Sequence, residues 1–462
     1  MKNILKIKCK ELMLVFLTIA LVSCSFDEET DPNGPSLGGV ESNASVRQLN
    51  ELAIGVESTS RDGLGVETTA SGTMARELYL FDADPRNTGD LLGKNGVSLD
   101  NNSFYSTTQF SGNYRCIKNA NILLEALDNT QVISETQKNA YRGFAKTFKA
   151  YELIQILKSY DQARIDVNNP DDLGAFLDFD TAIADIRVLL DEAQTDLSVF
   201  GPLDQFSFPL AGFDDLIDTS LETPENSRDD DSQITIQEFI LFNRAVAAVA
   251  AVYDGDGTGA LSNLSDSYFD LTADLDIGPK HVFSLGAGDR GNPVFRAPSV
   301  SADEPNNGDQ IIVHNSWIND AEPGDTRVDE KAAVRPDPTT QDDLSGTHET
   351  RLYSSNVSPI DIIRNEELIL VYAEASILAN NLQDAEDALN VIRNSAGLPD
   401  YSGAQTPADL TTEMLRQRRY SLWCENHRMF DLRRYGLSNT LPIDRTGDQI
   451  FNVLPIPLAE NQ

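Results

Sequence analysis

The side chains able to do chemistry are few and scattered. Four histidines, His281, His314, His348 and His427, show neither an H-x-x-x-H spacing nor any other metal-ligand spacing. The chain has no glycine-rich phosphate loop and no G-x-S-x-G nucleophile elbow. With 73 acidic residues, carboxylates occur everywhere, so no pair stands out as the acid and base of a hydrolase. Catalysis is not expected. Asp254-Gly-Asp256-Gly-Thr258-Gly259 opens like an EF-hand loop, but the twelfth position is Ser265, where a bidentate Glu is required. It reads as a glycine-rich turn between two helices. No cofactor is expected, and a structural calcium lacks a complete motif.

The remaining chemistry is that of recognition. A sugar site asks for flat aromatic faces against the C–H face of a pyranose, with amides, carboxylates and guanidinium groups for its hydroxyls. Two irregular regions hold such material. In the first, Tyr79, Phe81, Arg86 and Asn87 precede Asn101, Asn102, Phe104 and Tyr105. In the second, His314, Asn315, Trp317 and Asn319 follow one another closely. Trp317 is the foremost candidate because its neighbours are polar hydrogen-bonders, and Tyr79, Phe81, Tyr105, Arg86, Asn315 and Asn319 complete the candidate set. Loop packing is the alternative role for each aromatic. Trp423, the other tryptophan, is expected in the core.

The start of the chain sets the compartment. Lys2, Lys6, Lys8 and Lys10 precede an apolar run from Leu12 to Val22 that is too short to span a membrane. Leu21-Val22-Ser23-Cys24 then matches a bacterial lipobox, so residues 1–23 read as a signal peptide and Cys24 as the lipidation site. A polar tether over 24–45 follows, and acyl chains on Cys24 would hold a soluble domain on a membrane. Removal of residues 1–23 takes away four Lys and one Glu, leaving 32 basic residues against 72 acidic ones. Such a field repels a phosphate backbone and excludes nucleic acid as a partner. Cys116 and Cys424 lie far apart in sequence and read as buried apolar side chains, with a single bridge between them left open.

The elements that must position these groups are mainly helical. Scaffold segments are expected at 46–57, 109–160, 180–198, 235–270 and 359–436, with irregular ligand-face loops at 58–108 and 275–358. Ser134 with Gln137 and Thr235 with Glu238 form capping boxes, and Asp180 is the expected cap of the helix through Leu197. Phe239–Tyr253 is almost wholly apolar and reads as a buried scaffold helix. In the C-terminal part, Leu368, Val371, Ala375 and Leu378 share one helical face, while Ala385, Ala388, Leu389 and Ile392 share another. Asn380-Asn381 separates the two stripes, Gln383 or Asp384 is the expected cap of the second, and Gly397 and Pro399 stop it. Short helices with alanine-rich facing stripes suit a tetratricopeptide-like hairpin. Thr406-Pro407-Ala408-Asp409 starts the next helix.

The run A-E-A, A-x-x-A-L-N-x-I-R, A-G-L, then R-R-x-x-L-x-x-E-x-x-R-x-x-D-L-x-R-x-G, between Glu366 and Gly436, resembles the C-terminal signature of the SusD/RagB glycan-binding lipoproteins. Gln417 and Asn426 stand where that pattern usually has Glu and Gly. Tyr-x-x-Ile-x-x-Ala-Asn at 114–121, the closing Pro455-Ile456-Pro457 and Asp27-Glu28-Glu29 after Cys24 are further resemblances. The resemblance implies a mainly α fold, a right-handed scaffold of tetratricopeptide-like hairpins with long loop excursions. It also implies an outer-membrane, surface-exposed lipoprotein without enzymatic activity. Such a protein captures oligosaccharide as a lid over a SusC-type TonB-dependent transporter. A lid for peptides or another nutrient, and a surface glycan hydrolase, are the competing readings.

Overall fold

A computed structural model describes residues 43–169, 172–213, 234–299 and 309–461. Cys24 and the tether as far as residue 42 lie outside the described residues. The helices follow in the order α1 (Val46–Thr59), α2 (Leu64–Met74), α3 (Phe104–Asn129), α4 (Glu135–Tyr160), α5 (Phe179–Leu197), α6 (Ile236–Tyr253) and α7 (Gly257–Ser265). After two short helices, α8 (Asn315–Asn319) and α9 (Arg327–Lys331), come α10 (Asn365–Leu378), α11 (Leu382–Ser395), α12 (Pro407–Ser421) and α13 (Arg428–Arg434). Contacts run α1 to α3, α3 to α4, α4 to α5, α5 to α6, α6 to α7, α7 to α10 and α10 to α11, so each hairpin packs on the next. The fold is mainly α and tetratricopeptide-like, as the periodicity and the resemblance implied.

Local chemistry explains where these helices start and stop. Ser134 and Gln137 cap α4, and Thr235 and Glu238 cap α6, each as a reciprocal box. The α5 cap is Asp178 rather than Asp180; its side chain accepts from the Thr181 N–H at 2.9 Å. The α11 cap is Asn381 rather than Gln383 or Asp384. Asn380 and Gly397 adopt the left-handed conformations that break the chain at φ 60 and 74°. Helix α6 is apolar and long enough to cross a membrane by composition, yet it lies buried between α5 and α7 with Asn243 and Arg244 inside. The Asp254–Gly259 turn joins α6 to α7: Asp256 caps α7 through Gly259 N at 2.8 Å, and Arg187 pairs with Asp254 and Asp256.

Two regions expected to be irregular carry regular structure. Helix α2 lies within 58–108; its sequence, LGVETTASGTM, has weak helix formers, but every residue from Glu67 to Met74 is buried, so packing overrides propensity. Short pairs are formed by β2 (Gln162–Ala163) with β3 (Leu177–Asp178) and by β4 (Lys280–His281) with β8 (Ile360–Asp361). The 275–358 region also contributes β5 (Gln310–Val313), β6 (Ala332–Gln341) and β7 (Leu344–Thr350), which join β1 (Leu78–Phe81) in a sheet of order β1-β5-β7-β6. The pairings are antiparallel, with Leu78 opposite Val313 and Ile312 opposite Glu349.

The β6–β7 hairpin is bent. Its register breaks between Val334 and Thr339, across Pro336 and Pro338, which cannot donate to the ladder. Leu344 at the tip thereby packs on Tyr79, Phe81, Leu92 and Ile312 as a small cluster on the outer sheet face. The opposite face, with Leu78, Leu80, Ile311 and Val313, packs on Trp317, Tyr420 and Trp423.

The C-terminal stretch is braced by buried arginines. Arg364 pairs with Glu366 at 2.7 Å and with Glu425, Arg393 with Glu322 at 2.7 Å and with Glu413, and Arg418 with Asp431 at 2.7 Å. Arg434 bridges Glu374 and Asp431. Burial pushes the Asp431 carboxyl up, but Arg418 and Arg434 overcome this and hold it below its ordinary value. Gln417 links Glu413 to Arg327. Asn426 sits at φ 57°, a conformation that Gly adopts freely and Asn tolerates, and its amide donates to Glu67. Cys116 and Cys424 are both buried and free.

Candidate functional site

The loop from residue 82 to 103 leaves β1, crosses the outer sheet face and leads into α3. Its shape is fixed by polar contacts rather than by a core. Asp82 accepts from Asn87 at 2.9 Å, and Asp84 takes the Arg86 guanidinium and backbone N–H. Tyr105 donates its hydroxyl to Asp90 at 3.0 Å and accepts from Asp100 N at 2.7 Å; burial, with Asp90 beside it, pushes that phenol up to about 12. The hairpin tip closes on the same loop. Asp342 receives Thr88 at 3.0 Å, Lys94 and Arg445, and Gln341 donates to Asp82 O at 2.8 Å. Asp342 and Asp343 both hold positive φ, 54 and 63°, as a tight hairpin turn demands.

This geometry divides the sequence candidates. Trp317 is fully buried: its Nε1 donates to Arg419 O at 3.2 Å, and its ring lies 5.1 Å from Tyr420 and 5.2 Å from Trp423. It is core, and the polar residues around it serve the backbone. His314 caps α8 by accepting from Ser316 N at 3.0 Å, and its Nε2 meets Asp444 at 2.9 Å. Asn315 donates to Ser345 O at 2.9 Å and is half-buried. Tyr79 and Phe81, stacked at 5.6 Å and 7°, are buried under the hairpin tip, and Tyr105 is fully buried beneath its loop. None of these four rings offers a face to solvent.

Arg86 and Asn319 are exposed. The Arg86 guanidinium lies 4.8 Å over the half-buried ring of Phe104, and exposed Asn102 and half-buried Asn101 flank them. The result is a ledge with an apolar plane, a guanidinium fixed by Asp84 and Ser103, and amides at its rim. Phe104 was legible as an aromatic of this loop, yet nothing in the sequence ranked it above Tyr105; the helix phase of α3, which starts there, turns one ring out and the other in.

Concave features lie elsewhere. An open cleft of ≈ 620 Å³ runs past Asp276, Lys280, Glu330, Arg351 and Tyr353. A second, of ≈ 450 Å³, is walled by α12, α13 and the residues after α8. An enclosed cavity of ≈ 60 Å³, with Glu67, Glu152, Lys158, Glu367 and His427 on its walls, has room for a few waters and is too small for a sugar. Burial raises the Glu67 and Glu152 carboxyls and brings Glu367 to about 7, while it lowers Lys158 and His427. The wall groups are thus held toward their neutral forms.

Residues 342–457, from the hairpin tip through the closing segment, match the model of the SusD family. No curated protein sequence matches the chain. Among solved structures, the chain is similar to a SusD superfamily protein from Bacteroides vulgatus, with a TM-score of 0.63 and 17% identity over 90% of this chain and 96% of that one. It is also similar to surface glycan-binding protein A from Bacteroides fluxus, with a TM-score of 0.67 and 16% identity over 90% and 96%. A third is surface glycan-binding protein A from Bacteroides thetaiotaomicron in complex with laminarihexaose, with a TM-score of 0.61 and 14% identity over 90% and 97%.

Proposed function

We propose that this protein binds an oligosaccharide at the cell surface without covalent chemistry and delivers it to a SusC-type TonB-dependent transporter. In this reading it is anchored in the outer membrane through lipid on Cys24, and the helical hairpins serve as frame and partner surface. The observation that carries the sugar-binding part is the solvent-facing Arg86–Phe104 ledge with Asn101 and Asn102 at its rim, on a fold whose solved neighbours include surface glycan-binding proteins. Asp84 and Ser103 fix the Arg86 guanidinium beside Phe104, its remaining N–H donors face solvent, and an aromatic plane takes a pyranose face, so the two together suit a polyhydroxylated ring. The test is retardation of the lipid-free chain in native gels containing a panel of polysaccharides. Retention that is lost in Arg86→Ala and Phe104→Ala supports the ledge; retention unchanged in both removes it from the site. Co-purification with the transporter tests the partner, and a Cys24→Ala protein that remains acylated on membranes would overturn the anchor.

A further inference from the structure

The signature arginines are paired inside the protein, with one exception. Arg364, Arg393, Arg418, Arg433 and Arg434 each meet carboxylates or carbonyl oxygens. Arg428, at the first turn of α13, makes no hydrogen bond or ion pair with another described residue, although it is half-buried. Burial, followed by the neighbouring Arg419, lowers its pKa to about 10. Two carboxyls act on it, Glu77 and then Asp431; burial pushes Glu77 up to about 8, so at neutral pH Glu77 is mostly protonated, and Asp431 is already engaged by Arg418 and Arg434. A half-buried guanidinium with no hydrogen-bonded carboxylate keeps its donors free for an incoming group.

Arg428 lines the ≈ 450 Å³ cleft together with Arg416 and Arg419. Arg416 is half-exposed, and its nearest carboxylate, Glu322, lies 3.8 Å away. Arg419 is held by Asp320 at 3.0 Å and by Ser316 at 3.0 Å. Asp320 is the one acid on the cleft wall, against three arginines, in a chain of net charge −37. Leu415, Leu432 and Leu437 supply apolar wall between the charges. Exposed Asn319 is adjacent in sequence to Asp320, so the cleft adjoins the second region of sugar-type residues.

We propose that this cleft takes an oxyanion borne on a glycan, the carboxylate of a uronic acid, with Arg428 and Arg416 as its donors. The proposal rests on the glycan-binding reading and adds the class of sugar. A guanidinium pairs with carboxylate or sulfate through two parallel N–H···O bonds, while the leucines take the ring's C–H surface. In a chain with carboxylates in excess, no carboxylate among the described residues is hydrogen-bonded to Arg428, and an incoming anion supplies that partner.

The experiment is calorimetric titration of the lipid-free chain with a galacturonate oligomer, with neutral laminarihexaose and with inorganic sulfate. Wild type is expected to bind the uronate. Loss of one charge-assisted pair, worth about 1.5–3 kcal/mol, predicts weakening of about 10- to 100-fold in Arg428→Gln. Arg416→Gln, which is half-exposed and safe for folding, should weaken the uronate in the same direction, and Arg86→Ala tests the ledge separately. Equal uronate binding in wild type and both cleft variants overturns the proposal. So does sulfate binding without uronate binding, which would make the cleft a site for a free oxyanion. Retention of the neutral hexamer alone overturns the inference and leaves the proposed function standing; failure to hold any glycan in the wider panel removes the proposed function as well.

Discussion

Trp317→Ala separates a core ring from a ligand platform. Trp317 has no exposed surface, packs against Tyr420 and Trp423, and spends its indole N–H on Arg419 O. Truncating a buried Trp or Phe to Ala costs about 3–5 kcal/mol in transfer and cavity terms. Two aromatic contacts and a buried hydrogen bond place this site near the upper end, at about 4–5 kcal/mol. That is a large share of the roughly 5–15 kcal/mol by which a domain is stable. Equilibrium urea unfolding followed by far-ultraviolet circular dichroism is the suitable assay, because the chain has two tryptophans and removing one alters the fluorescence itself. A shift of under about 1 kcal/mol, combined with lost polysaccharide retention, would refute the burial argument and return Trp317 to the ligand face.

Other perturbations test the frame. Burial raises Glu77 from 4.5 to about 8, so the folded state binds a proton that the unfolded state releases. Its contribution is fully present below pH 4.5 and is lost as pH rises toward 8. Glu77→Gln should flatten the fall in stability between those values by up to roughly 5 kcal/mol at 1.36 kcal/mol per unit; unchanged pH dependence in urea titrations would show that Glu77 ionises normally. Gly346 lets the bent hairpin approach β5, since an added Cβ would stand 2.3 Å from Ile312 Cγ2. Gly346→Val should destabilise by about 1–3 kcal/mol and expose the tip to protease; wild-type resistance and melting would remove the close-approach argument.

The helical frame was legible because its signals are local. Ser134 with Gln137, Thr235 with Glu238, Thr406 with Asp409, and the turns at Asn380 and Gly397 act within a few residues, and each sits where the sequence places it. The sheet was not legible. Strand β1 is four apolar residues buried on both faces, and β6 carries two prolines at a register break, so neither shows clean alternation. The ligand face was legible only in part. Polar neighbours of an aromatic suit sugar hydroxyls, whereas around Trp317 they cap α8 and tie it to β7. Composition identifies rings and amides; burial decides which of them meet solvent, and burial here depends on a hairpin that folds back over Tyr79 and Phe81. Arg428 shows the converse. It stands in a stretch that reads as bracing, and only the absence of a partner in three dimensions distinguishes it.

The most direct test of the account is the affinity-gel panel run with wild type, Arg86→Ala and Phe104→Ala side by side. The account predicts that at least one polysaccharide retards wild type, that both variants, still folded by circular dichroism, migrate freely on it, and that the polysaccharide is recovered uncleaved. Retention unaffected by either substitution, or cleavage of the polysaccharide by pure protein, would contradict it.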